Sequence, residues 1–205
     1  MVDKISNKIL YFLVNKSDID DERKEILLFG ITRIVEDIPK TIGIILIGIL
    51  LNIIFEMIVV TVIISLYKTF VGGVHAKTNF GCFICSVIFY IAIIYLAKFV
   101  IINGNIRILF ISLNYIFAIY CILTYVPADV PEMPKVDKRL RRNLKTKSFV
   151  MLNLIFLITY LFVKDLYVQR IIGYSLFFIN LMTTRTIYKL FKNDYGHEVY
   201  IPDEI

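Results

Sequence analysis

Residues 108–128 read ILFISLNYIFAIYCILTYVPA, a stretch without a single charged side chain. About 20 predominantly apolar residues suffice to carry a helix across roughly 30 Å of hydrocarbon. This stretch is long enough by itself, so the chain crosses a membrane at least once. It belongs to one of six apolar runs, at about 41–55, 57–70, 82–102, 106–126, 148–164 and 169–190. Hydrophobic residues make up 58% of the 205-residue chain, above the roughly 45–50% usual in soluble domains. The reading is an all-α, polytopic membrane helical bundle with about six hydrophobic segments: four long spans plus a short hairpin or re-entrant pair. A single membrane domain is expected over 1–205, divided into an amphipathic N-terminal region (1–40), membrane helices (41–191) and a polar tail (192–205).

The ends differ in character from the middle. Residues 1–17 place Ile5, Ile9, Phe12 and Leu13 between Lys4, Lys8 and Lys16, the pattern of a helix lying in the headgroup region. Residues 21–40 read as a second amphipathic helix that Pro39 should limit. The many charges among the first forty residues do not fit a cleavable secretory signal. His197 lies in the polar tail without a local partner and is expected to be solvated.

Lys and Arg, 23 in all, fix the expected topology. If 41–67 folds back near Asn52–Glu56, 19 of them lie on one side and 4 on the other. If it crosses once, they divide 11 to 12. Cytoplasmic loops carry the excess of Lys and Arg, so the hairpin is preferred. It places 68–80, 127–147 and both termini in the cytoplasm. Pro127, Pro131 and Pro134 should keep the start of the 127–147 loop extended. Arg139, Arg141, Arg142, Lys145 and Lys147 then stand at the membrane edge, as an ordinary positive-inside anchor or as a surface for an acidic partner.

Chemistry concentrates in residues 68–86, KTFVGGVHAKTNFGCFICS, which hold one of only two histidines and two of only three cysteines. A cysteine attacks carbonyls as the thiolate, and a neighbouring imidazole both lowers its pKa and returns the proton to the leaving group. His75 and Cys82 are seven residues apart, about 10.5 Å along a straight helix, too far for a working pair. Gly72–Gly73 and Thr78, Asn79 and Gly81 predict a break, with Cys82 opening the next helix. A helix N-terminus there favours the thiolate. Backbone N–H groups at Gly72–Gly73 or at the helix start are candidate oxyanion donors. A packing cysteine and an interfacial histidine are the bland alternative. Cys85 is expected to pack or to neighbour the site, and Cys121 to be structural. Three ligands are too few for a structural zinc site, so no metal and no cofactor are expected.

This stretch resembles the accessory gene regulator B (AgrB) family, membrane cysteine endopeptidases of Gram-positive quorum sensing. The resemblance rests on Gly72–Gly73–Val74–His75–Ala76, then Cys82 and Ser86 at the family's spacing, and on Tyr125–Val126–Pro127–Ala128 leading into a Pro- and Lys-rich loop. It implies cleavage of an AgrD-like precursor peptide through a Cys82 acyl-enzyme, with His75 as base. Ring closure to a thiolactone or lactone would follow. Gly73 and Ser86 match positions associated with activity in the family. Lys68 stands where the family commonly has Arg, keeping the charge but not bidentate carboxylate binding. Lys135, Arg139, Arg141 and Arg142 are candidate contacts for an acidic precursor tail. The resemblance also implies a homodimer in the cell membrane, and no nucleic-acid partner. A different class, a small transporter or channel subunit with Glu56 and the interrupted 41–67 segment on its path, is the competing reading.

Overall fold

The computed structural model describes residues 2–14, 20–76, 78–102, 104–131 and 133–200. Among them the chain is helical: α1 (Val2–Val14), α2 (Asp21–Leu50), α3 (Ile54–Val71), α4 (Asn79–Phe99), α5 (Gly104–Thr124), α6 (Lys138–Phe162), α7 (Leu166–Leu181), α8 (Arg185–Leu190) and α9 (Gly196–Tyr200). An all-α, multi-pass membrane fold is what the apolar runs required. The chain divides into two compact units, Met1–Ile54 and Phe55–Ile205.

In the first unit, α1 packs on α2. Pro39 does not end the second amphipathic segment as expected. It sits inside a 30-residue helix, so 21–40 and 41–50 form one element. One proline removes a single backbone donor, and the long apolar run beyond it keeps helical dihedrals. The helix stops at Leu51–Ile53, where Asn52 takes a left-handed φ of 54° and Ile53 donates to the Gly48 carbonyl. The interruption therefore falls at the start of the Asn52–Glu56 stretch expected to break 41–67.

The second unit holds four helices long and apolar enough to span: α3, α4, α5 and α6. The second arm of the expected short pair is thus full length, since 18 residues rise about 27 Å. Conversely, the last expected span is cut short. α7 has 16 residues, and the hydroxyls of Thr183 and Thr184 take the carbonyls of Asn180 and Leu181. Such side-chain bonds satisfy the last turn and let the chain leave the helix. Likewise α6 begins at Lys138, ten residues before the expected start, because Asp137 caps it by accepting from the Arg139 N–H at 2.8 Å.

α7 is the axis of this unit. It packs against α4, α5 and α6, and Ile171–Leu176 is buried without interruption. Several of its polar groups are paired, as a water-poor medium favours, although Gln169 Oε1 is buried without a partner among the described residues. Tyr67 of α3 donates to Asn180 Oδ1 at 3.1 Å. Asn114 of α5 donates to the Gly173 carbonyl at 2.6 Å, and Arg170 Nε to the Ala97 carbonyl at the end of α4 at 2.9 Å. Phe89 and Phe178 meet edge to face at 5.1 Å. Glu56 lies in the first turn of α3 and accepts from the Tyr167 hydroxyl at 3.4 Å. A carboxylate there offsets the helix dipole, which accounts for Glu56 without a transport path.

Candidate functional site

The end of α3 leads directly into the site. Gly72 and Gly73 have φ of 81° and 131°, a region L side chains avoid. A Cβ on Gly72 would overlap the Ala128 carbonyl oxygen. The close approach is real: Gly73 N–H donates to that carbonyl at 2.8 Å, and Ala128 N–H donates back to Val71 at 2.9 Å. Val74 N–H then donates to the Met182 carbonyl at 3.2 Å. The segment bearing His75 is therefore stitched to the 127–130 loop and to the end of α7.

Residues 72–76 are non-helical, and α4 starts at Asn79. Thr78 is its N-cap: its hydroxyl oxygen accepts from Gly81 N–H at 3.0 Å, and its carbonyl accepts from Cys82 N–H at 2.9 Å. Cys82 therefore stands half-buried in the first turn, at the positive end of the helix. This is the bend the breakers predicted. Ser86 follows one turn later on the same face. His75 is exposed. Cys121 is buried, as a structural cysteine should be, whereas Cys85 is exposed and is not a packing residue.

One expectation needs correcting at the glycines. Gly72 N–H donates to the Lys68 carbonyl at 2.8 Å and Gly73 N–H to Ala128, so neither is held ready for an oxyanion. Their role is conformational, and the candidate donors shift to the start of α4. Lys68 lies in the last turn of α3.

His197 is the other correction, because it is not a solvated tail residue. Asp129, with a fully buried side chain, accepts from His197 Nδ1 at 2.7 Å, from His197 N–H at 2.9 Å and from Lys135 N–H at 2.8 Å. Arg141 Nη1 lies 3.7 Å from the same carboxylate. A buried charge must be paired and hydrogen-bonded, and residues 68 positions apart in the chain do this here. Lys135 has its pKa lowered, by burial first, against the opposing pull of Asp129. The tail packs as well as bonds. Val74, Ala128, Val130, Tyr188 and Tyr195 form one buried cluster, and the rings of Tyr188 and Tyr195 stack at 4.2 Å. Of the basic run, Arg141 faces Asp129, while Arg139 and Arg142 are exposed.

The fold defines a multi-pass α-helical membrane protein, with His75 on the connection between α3 and α4 and Cys82 in the first turn of α4. Residues 6–187 match the model of the family Accessory gene regulator B. The chain belongs to that family, and membership supports a role in the accessory gene regulator quorum-sensing system. An AgrB-like protein 1 of Clostridium perfringens strain 13 is 25% identical over 191 residues, covering 93% of this chain and 98% of its own. Accessory gene regulator protein B of Staphylococcus aureus strain MW2 is 26% identical over 160 residues, 78% of this chain and 82% of its own. No solved structure matches.

Proposed function

We propose that the chain is a membrane-embedded cysteine endopeptidase that cleaves the C-terminal part of an AgrD-like autoinducing-peptide precursor and promotes its cyclisation. The observation that carries this reading is Cys82 in the capped first turn of α4, preceded by a glycine-initiated loop bearing His75, in a chain of this family. His75 takes the thiol proton, and Cys82 Sγ attacks the scissile carbonyl. The C–N bond breaks as the proton passes to the leaving amine, and a thioester remains. A thiol or hydroxyl within the bound peptide then attacks that thioester, closing a thiolactone or lactone and freeing Cys82. A site at the membrane edge limits competing water and holds the internal nucleophile near the acyl group.

Partners follow from the same reading. The exposed Arg139 and Arg142, with Lys68 and Lys135, would attract an acidic precursor tail. The amphipathic α1 suits an interface shared with the precursor's leader. The active site and both termini face the cytoplasm, as the positive-inside rule favours, and the working unit is a homodimer, as the resemblance implies. The test is cleavage of a candidate precursor by the protein in lipid vesicles. Cys82→Ala and His75→Ala should each abolish product while keeping the wild-type unfolding temperature. Undiminished cleavage by Cys82→Ala defeats the reading.

A further inference from the structure

The His75 loop is held from one more direction, and that contact comes from the far end of the chain. Asn193 Nδ2 donates to the His75 carbonyl at 2.7 Å, linking positions 118 residues apart. The geometry of the tail is built to deliver that amide. α8 ends with Lys192 in a left-handed φ of 52°, and Asn193 N–H donates back to the Tyr188 carbonyl at 3.0 Å. This closes the helix as a C-terminal cap and turns the chain towards the loop. Beyond it, Gly196 fits against the Val130 carbonyl, where any Cβ would collide. His197 is then clamped by Asp129, the residue that follows the Ala128 partner of Gly73.

Upstream of His75, the backbone is pinned at Gly73 and Val74. Downstream, it is pinned at the Thr78 cap. Between these anchors the Asn193 bond acts on His75 itself. A left-handed non-glycine residue is an unfavourable conformation, and one that persists where it aims a side chain needs a reason.

We propose that Asn193, presented by a C-terminal strap locked through the Asp129–His197 pair, is a positioning residue that sets where the His75 imidazole stands relative to Cys82. The proposal rests on the His75–Cys82 reading above and adds to it a residue outside the motif. Asn193 does not touch the reacting atoms. It acts through the His75 backbone.

The rate of Cys82 alkylation by iodoacetamide, followed against pH in the full-length protein in lipid, tests this. Cys85→Ser and Cys121→Ala leave Cys82 as the sole thiol. Asn193→Asp keeps size and removes the donor; Asn193→Ala removes the contact altogether. Both should slow alkylation near neutral pH by about tenfold or more, since small misplacements cost that much. They should also move the profile towards that of His75→Ala, with the unfolding temperature unchanged. If His75→Ala changes the profile and both Asn193 variants track the parent, the positioning role is wrong and the dyad stands. If His75→Ala itself leaves the profile unchanged, the dyad falls, and the proposal with it.

Discussion

Gly72 shows how much of the site depends on a single missing Cβ. Its φ of 81° and its approach to Ala128 leave no room for alanine, so Gly72→Ala should destabilise the protein by about 1–3 kcal/mol. Gly30, inside α2 with nothing within 4 Å of its would-be Cβ, is the opposite case. There Gly30→Ala should stabilise by roughly 0.5–1 kcal/mol. Thermal unfolding in one detergent separates the two. Tyr188 gives a pH prediction. Burial, with smaller contributions from Tyr195 and Asp129, raises its pKa above the ordinary 10.0, and its hydroxyl donates to the Asp129 carbonyl at 3.0 Å. The unfolded phenol ionises first, so this stabilisation is complete below pH 10 and is lost as pH rises through the folded value. Tyr188→Phe should weaken the fold at neutral pH and blunt its alkaline transition, as read by unfolding temperature against pH.

Helix boundaries carry the next level of organisation. Thr78 starts α4 just after the His75 loop, so that His75 and Cys82, seven residues apart, lie on either side of a bend and not along one straight helix. Thr78→Ala should cost about 1 kcal/mol and slow any chemistry at Cys82, while Thr78→Ser should preserve both; unfolding and thiol alkylation report the two effects. The bend was readable in the sequence, from Gly72–Gly73 and Thr78, but the helix was expected to open at Cys82 and opens at Asn79 instead. The break near Asn52 was readable from Glu56 inside an apolar run together with the distribution of Lys and Arg. Three features were not. Pro39 is absorbed by a helix whose length outweighs one lost donor. The Thr183–Thr184 exit looks like part of an apolar run until the hydroxyls are seen on the preceding carbonyls. Asp129 and His197 lie too far apart in the chain for any local pattern to pair them, and His197 therefore read as solvated.

At the scale of the whole molecule, distant segments converge on the motif legible in residues 68–86. The 127–130 loop, the end of α7 and the tail supply its frame, and Asp129 fastens that frame. Asp129→Ala should cost about 3–5 kcal/mol, as expected when one partner of a buried charged set is removed, and should loosen the tail to proteolysis in a way that Arg139→Ala does not. The central claim concerns Cys82. Its most direct test is the intact mass of the protein after incubation with a precursor lacking the ring-closing thiol or hydroxyl, so that the acyl-enzyme accumulates. The account predicts a covalent gain equal to the N-terminal precursor fragment less one water, mapped to Cys82 and absent in Cys82→Ala. Cleavage that proceeds in Cys82→Ala, or an adduct carried by Cys85 instead, would contradict it.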